Sequence, residues 1–309
     1  MTRIAVIGAG LIGRAWSIVF ARAGFTVALW DPVPAAVPAA REFVAARLPE
    51  LAEAGLLDDP PEAVLARLHP AAGLAEAVAG AAHVQENGPE RVEDKRALFA
   101  ALDRLAPPAA ILASSTSGIP ASAFTEALAG RARCLVAHPV NPPYLLPLVE
   151  LCPAPWTAPE TVAATRALME RAGQVPVTVK QEREGFVLNR LQGALLAEAF
   201  RLLEQDAISP EDLDATIKHG LGLRWSFMGP LETIDLNAPG GLAEYCARFG
   251  GLYSRMQREM TPLEWSEALV ARLDAARRAV LPAAELGART AWRDRRLMAL
   301  AVHKRGQPE

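Results

Sequence analysis

Gly8-Ala9-Gly10-Leu11-Ile12-Gly13 constrains the fold of this chain more than any other stretch, because its three glycines separate an apolar run, Arg3 to Gly8, from a segment of helical period. In Leu11 to Ala23 the large residues Ile12, Trp16, Ile18 and Phe20 recur at helical spacing. In a strand, a tight turn and a helix placed in that order, each glycine has its own role. The first permits the turn, the second lets backbone approach a ligand, and the third lets helix and strand pack closely. Free amides at the helix N-terminus then face an anion such as a pyrophosphate. Gly8, Gly10, Leu11, Ile12 and Gly13 are therefore candidate dinucleotide contacts. Asp31 closes the next apolar run, Thr26 to Trp30, where a carboxylate can accept both adenosine ribose hydroxyls and repel a 2′-phosphate. No arginine directly follows Asp31, so NAD is favoured over NADP.

Further short apolar runs at His83 to Gln85, Ala110 to Ala113 and Cys134 to Ala137 alternate with alanine-rich helical stretches. That alternation predicts a doubly wound, mostly parallel α/β sheet of Rossmann type. Leu148 to Cys152 and Val175 to Val179 are two more strand candidates, whose topology the pattern leaves open. After Lys180 the strand signals stop; Glu182 to Gly185 reads as a charged link, and Phe186 to Leu203 as a long helix. Ser209-Pro210-Glu211-Asp212 is a helix start, with serine as N-cap, proline in the first helical position and acids in the first turn. More helices are expected near 243–249, 263–280 and 290–303. The expected organisation is an α/β domain over residues 1–184 followed by an all-helical domain over residues 185–309.

Composition narrows the function classes. With 51% hydrophobic and 22% charged residues in 309, the chain can bury a sizeable core and is long enough for two domains. A net charge of -3 gives no basic footprint for nucleic acid or an anionic membrane. Cys134, Cys152 and Cys246 have neither metal-ligand spacing nor the even count of a disulfide framework, so no metal is expected and a reducing cytoplasm fits. Neither a leader-like N-terminus nor an apolar run long enough to span a bilayer is present.

Ala137 to Glu150, Ala-His-Pro-Val-Asn-Pro-Pro-Tyr-Leu-Leu-Pro-Leu-Val-Glu, carries the chemistry. His138 ends an apolar strand and should emerge at the carboxyl edge of the sheet, where open α/β folds bind ligands. Glu150 ends a second apolar stretch; if the two strands pair as a hairpin across Pro142-Pro143, the side chains meet. A carboxylate beside an imidazole fixes its tautomer and stabilises the imidazolium formed when it takes a hydroxyl proton. Beside a nucleotide fingerprint, such a pair points to alcohol oxidation. His69, His83, His219 and His303 read as structural or solvent-facing.

These residues resemble the 3-hydroxyacyl-CoA dehydrogenase superfamily, most closely its lambda-crystallin or L-gulonate 3-dehydrogenase branch. The resemblance rests on Gly8 to Gly13, on Gln85-Glu86-Asn87-Gly88-Pro89-Glu90 with Lys95, and on Ser114-Ser115-Thr116-Ser117. It also rests on Ala137 to Glu150, on Gly185-Phe186-Val187-Leu188-Asn189-Arg190 and on Gly229-Pro230-Leu231-Glu232-Thr233. It implies that His138 is the general base with Glu150 orienting it, that Ser117 and Asn189 hydrogen-bond the reacting oxygen, and that Glu90 and Lys95 flank the nicotinamide ribose. It implies, too, a homodimer formed through the helical domain.

The substrate question turns on Arg224. The stretch His219 to Pro230 carries Arg224-Trp225 just before its Gly-Pro element, where acyl-CoA members generally have no arginine with aromatic neighbours. A guanidinium holds a free carboxylate through paired hydrogen bonds, and a thioester offers no charge there. A free 3-hydroxy acid is the expected substrate, L-gulonate before L-carnitine, because no aromatic cage for a quaternary ammonium can be assembled from Trp225, Phe227 and Tyr144. The alternatives are a 3-hydroxyacyl-CoA dehydrogenase in which Arg224 is structural, and a non-catalytic, crystallin-like structural protein.

Overall fold

The computed structural model describes residues 2–307. By its contacts the chain forms two compact units: one takes everything through Arg190 together with the segment from Arg289 onward, and the other is Leu191–Ala288.

The first unit is built on an eight-stranded sheet. Its strands are β1 (Arg3–Ile7), β2 (Thr26–Trp30), β3 (Leu68–Pro70), β4 (His83–Glu86), β5 (Ile111–Ser114), β6 (Cys134–Pro139), β7 (Leu148–Pro153) and β8 (Val175–Thr178). Helices α1 (Leu11–Arg22), α2 (Ala36–Glu53), α3 (Pro61–Leu65), α4 (Leu74–Val78), α5 (Val92–Leu105), α6 (Ser122–Thr125) and α7 (Pro159–Arg171) fall between or beside them. The remaining helices are α8 (Leu188–Glu204), α9 (Pro210–Thr216), α10 (Gly222–Trp225), α11 (Pro230–Asp235), α12 (Gly241–Glu259), α13 (Glu267–Val280) and α14 (Leu286–Arg305).

Strand order is β3-β2-β1-β4-β5-β6-β7-β8. Every pairing is parallel except β6 with β7, which is antiparallel. The order reverses between β1 and β4, and such a switch point opens a crevice at the carboxyl ends of the strands. Alternation along β1 sends Ile4 and Val6 into one core with Trp16 and Phe20, and Ala5 and Ile7 into another with Val84 and Phe99. Both faces are therefore covered, as a parallel sheet requires.

The two strands of open topology, β7 and β8, extend the sheet at its far edge. Three features differ from what the sequence pattern predicts. β3 is an additional edge strand of three residues, too short to show a period and ending in Pro70, which only an edge tolerates. The helix expected from Phe186 begins at Leu188, because Gly185 and Phe186 both take positive φ, +73° and +51°, and neither continues a helix. The third concerns α14, which follows the helical stretch in sequence but belongs with the first unit. Its Met298 joins the core containing Leu48, Leu51, Tyr144 and Leu145, and its buried Asp294 accepts the Tyr144 hydroxyl at 3.4 Å.

Among the described residues no helix is long and apolar enough to cross a membrane. As expected, Ser209 caps α9, accepting the Asp212 amide at 3.1 Å, with Pro210 in the first helical position.

Truncating Met298 removes a buried side chain from a core built largely by residues far earlier in sequence. Met298→Ala should cost about 2–5 kcal/mol, read by urea unfolding, and should speed amide exchange around Tyr144 and Leu145. Unchanged stability would show that α14 does not complete this core.

Candidate active site

At the carboxyl end of β1 the glycine turn meets its three requirements. Gly8 adopts φ +92°, and a Cβ there would lie 2.8 Å from the Asn87 carbonyl oxygen. A Cβ on Gly13 would lie 1.8 Å from the Gly8 carbonyl oxygen, so only glycine lets α1 pack this closely on the turn. Gly10 differs: a Cβ there meets nothing within 4 Å. The protein itself does not demand glycine at this position, whereas a ligand lying on the backbone does. Gly10 is also the N-cap of α1 and offers no side-chain cap, and the first turn has no acid, so the amides near Leu11 and Ile12 remain available to an anion.

Asp31 lies just past β2. Its carboxylate accepts the Ala9 amide at 2.7 Å and the Val33 amide at 2.8 Å, which fixes it beside the glycine turn. A cavity of about 790 Å³ opens there, lined by Trp30, Asp31, Val37, Arg41, Pro70 and Gly73 among others. Turn, uncapped helix, carboxylate and cavity together fit the adenosine and pyrophosphate of a dinucleotide.

Beyond β4 and β5 lies a second cluster. Lys95 on α5 is buried and pairs with the equally buried Glu86, at 3.0 and 3.2 Å from its two oxygens. Ser114 donates to the same carboxylate at 2.5 Å and the Gly88 amide at 2.6 Å. The half-exposed Glu90 lies 3.7 Å from Lys95. Its Oε1 accepts the Thr116 hydroxyl at 2.5 Å, the Ser117 amide at 2.8 Å and the Gly118 amide at 3.2 Å. Glu90 thus braces the loop carrying Ser117, while the Lys95 ammonium is held chiefly by Glu86. The Ser117 side chain is exposed, and its hydroxyl has no partner among the described residues.

β6 and β7, whose pairing the sequence pattern left open, form an antiparallel hairpin with His138 directly opposite Glu150 in the register. His138 Nδ1 lies 2.8 Å from Glu150 Oε2, and both side chains are buried. Glu150 Oε1 accepts the Val187 and Leu188 amides, each at 2.9 Å. Burial alone would raise the Glu150 carboxyl; the His138 hydrogen bond, the Leu188 and Val187 amides and the His138 charge outweigh it and hold the group below the ordinary carboxylate range. Glu150 is therefore ionised and acceptor-only, so Nδ1 carries the imidazole proton and Nε2 presents its lone pair. Phe186, left-handed and buried, packs on the imidazole with ring centroids 5.5 Å apart. One residue into α8, Asn189 donates to the Ser117 carbonyl at 2.7 Å. All four residues expected at the reacting centre lie in the first unit, joined through Glu150 and the Ser117 loop.

In the second unit a π-helical turn, Ile217–Leu221, precedes α10. A Cβ on Gly222 would lie 2.9 Å from the Ile217 carbonyl oxygen, so glycine accommodates the widened turn. Arg224 follows on α10, half-buried, and its guanidinium has no carboxylate partner among the described residues. Trp225 and Phe227 are exposed, while Tyr144 is buried and bonded to Asp294, which removes it from any aromatic cage. Among the described residues no group of three or more His, Cys, Asp or Glu is arranged to hold a metal.

Sequence reasoning did not single out Gln85, Glu86 or Ser115 individually, although all are buried at this edge of the sheet. The signal in the chain was polar side chains within or directly after apolar strands, which need partners once buried.

Comparison with known proteins agrees with this geometry. Residues 3–182 match the 3-hydroxyacyl-CoA dehydrogenase NAD binding domain, and residues 185–279 match the 3-hydroxyacyl-CoA dehydrogenase C-terminal domain. The chain is 47% identical to a lambda-crystallin homolog of Bos taurus, over 99% of this chain and 97% of that one. It is 39% identical to an L-carnitine dehydrogenase of Streptomyces coelicolor, over 89% of this chain and 87% of the relative. Among solved structures, a 5-formyl-3-hydroxy-2-methylpyridine 4-carboxylic acid 5-dehydrogenase, described as an NAD+ dependent dismutase, superposes with TM-score 0.86 at 29% identity, covering 100% of both chains. With its dinucleotide turn, its matched domains and relatives across almost its whole length, the chain belongs to the 3-hydroxyacyl-CoA dehydrogenase family and is an NAD-dependent oxidoreductase acting on a CH–OH group.

Proposed function

We propose that this chain oxidises the C3 hydroxyl of a free 3-hydroxy acid, L-gulonate to 3-dehydro-L-gulonate, with His138 as general base. The observation that carries the base assignment is the 2.8 Å contact from His138 Nδ1 to Glu150, which leaves Nε2 as the proton acceptor. NAD, when bound, supplies the hydride acceptor at its nicotinamide. His138 Nε2 takes the hydroxyl proton as the C3 hydride departs, and the carbinol becomes a ketone. Glu150 stabilises the imidazolium formed in that step. The free Ser117 hydroxyl and the second N–H of Asn189 hold the substrate oxygen, with the half-exposed Glu90 beside the nicotinamide ribose and Lys95, paired to the buried Glu86, behind it.

Arg224 anchors the substrate carboxylate in this reading. A half-buried guanidinium without a protein carboxylate is a poor structural residue and a good anion receptor. The L-carnitine dehydrogenase relative acts, by its name, on a free carboxylic acid. L-Gulonate is preferred to L-carnitine because Tyr144 is not free to join a cage. Leu191, Leu223, Phe227, Leu231 and Leu236 of the second unit are each more than 60% exposed, and a second copy of the chain is the proposed cover for them. Light scattering on the eluting protein should report a dimer; a monomer at micromolar concentration would refute that cover.

NAD reduction with L-gulonate, L-carnitine, 3-hydroxybutyrate and 3-hydroxybutyryl-CoA ranks the candidates. L-Gulonate should give the highest kcat/KM, and turnover of the CoA ester alone would overturn the free-acid reading. Arg224→Ala should raise KM for the free acid roughly 10- to 100-fold, by loss of a paired charge-assisted contact, with NADH affinity unchanged. An unchanged KM would return Arg224 to a structural role.

His138→Ala should lower kcat by roughly 10²- to 10⁴-fold and spare NADH binding. Glu150→Gln should lose a similar factor, because an amide donating to Nδ1 forces the imidazole proton onto Nε2. The same carboxylate links stability to pH. Glu150 titrates lower in the folded chain than its ordinary value near ~4.3, so the unfolded chain takes up the proton first. Its contribution is complete above that range and fades as pH falls through the folded value. The stability gap between the native and Glu150→Gln chains, measured by urea unfolding, should be widest near neutrality and shrink below about pH 4.

A further inference from the structure

A buried line of hydrogen bonds runs behind the cofactor turn, and the chemistry above makes no use of it. Gln85 on β4 donates from Nε2 to Ser115 Oγ at 2.7 Å and to the Ala137 carbonyl at 3.1 Å. Both amide protons are then engaged, so Gln85 Oε1 accepts from His83 Nε2 at 2.9 Å, which assigns the His83 proton to Nε2. His83 is fully buried, and burial, opposed only by the Gln85 bond, pushes it down to about 4, so it is neutral. Ser115 Oγ also accepts from Trp16 Nε1 at 3.0 Å and donates to Asn87 Oδ1 at 2.8 Å. Asn87 Nδ2 then donates to the carbonyls of Ile7 at 3.2 Å and Gln85 at 2.9 Å.

The side-chain bonds that link His83, Gln85, Ser115 and Asn87 all donate in that order. The ends of the line are informative. Ile7 directly precedes the glycine turn, and Trp16 lies on the helix whose N-terminus faces the anion. Ala137 directly precedes His138. An apolar side chain at position 85 would fill a buried strand site with no polar group to satisfy, whereas a half-satisfied network costs more than none. What the glutamine adds is a fixed geometry between two backbones.

We propose that Gln85 is a positioning residue that locks the dinucleotide turn and the His138 strand into one register, with Ser115 passing the constraint to the cofactor side. The His138 arm rests on the base assignment above; the cofactor arm does not.

The test uses the full chain and two variants. Gln85→Met keeps volume and removes all three bonds, and Ser115→Ala removes the bonds to Gln85, Trp16 and Asn87 while leaving those of Gln85 with the Ala137 carbonyl and His83. NADH affinity is read by fluorescence titration, which needs no turnover, and is set beside kcat, the pH profile of kcat/KM and the melting temperature. Gln85→Met should weaken NADH roughly tenfold, lower kcat by a similar factor and move the pH profile, as expected for buried partners left unpaired. Ser115→Ala should weaken NADH and leave the pH profile in place. Gln85→Met with native NADH affinity, kcat and pH profile per folded molecule overturns the proposal, even if its melting temperature falls. Should Gln85→Met not fold, Ser115→Ala decides alone: native NADH affinity overturns the proposal and weakened affinity supports it. If His138→Ala retains turnover while Gln85→Met still weakens NADH, the base assignment fails and the cofactor arm stands.

Discussion

The antiparallel pairing of β6 with β7 is the one reversal in the sheet among the described residues, and the His138–Glu150 pair depends on it. A parallel crossover would have returned the chain at the far edge, carrying Glu150 away from His138. The reversal instead sets the two residues face to face. Glu150 then serves two elements with one carboxylate: Oε2 fixes the imidazole, and Oε1 holds the amides at the start of α8, whose next residue is Asn189. The proposed base and the proposed oxygen-binding amide, on different elements, are thereby tied to a single buried group. The left-handed Phe186 belongs to the same device, because its turn aims the following amides at Glu150 while its ring packs on His138.

Buried charge at the neighbouring strand ends obeys the same rule. Glu86 and Lys95 are each 1% exposed, and a pair this deep is tolerable only when the remaining oxygens and protons find partners. Ser114 and the Gly88 amide complete the Glu86 carboxylate. Glu90, half-exposed, takes three donors from the Ser117 loop on one oxygen. The Glu86 and Glu90 carboxylates are each satisfied by several donors, and the Ser117 hydroxyl stands out because it is exposed and has no partner among the described residues.

Much of this is readable from the chain. The glycine turn, Asp31 and the His138 to Glu150 hairpin are local patterns of turn chemistry and strand period, and each lies where those patterns put it. What escapes is non-local. β3 has three residues and no period, so only its pairing with β2 reveals it. α14 shows an ordinary amphipathic spacing, and nothing in that spacing says which core it completes; Met298 and Asp294 answer only through residues about 150 positions earlier, as the Tyr144 to Asp294 contact shows. Nothing in the chain marks Lys95 as buried; its burial depends on Glu86, whose strand position makes the carboxylate inward-facing.

The proposed division of labour follows from where charge is placed. In the proposed reaction the first unit supplies the base, its carboxylate, the free hydroxyl and the cofactor turn, a set that serves a carbinol whatever acyl chain is attached to it. None of them distinguishes an ester from an acid. A cation that meets a free carboxylate is the simplest means of making that distinction, since the thioester lacks the charge and offers no attraction in return. Arg224 sits in the other unit, directly after a widened helical turn that glycine makes possible. On the proposed reading, substrate choice therefore rests on one short segment of the helical unit, separate in sequence from the His138–Glu150 pair and the dinucleotide turn.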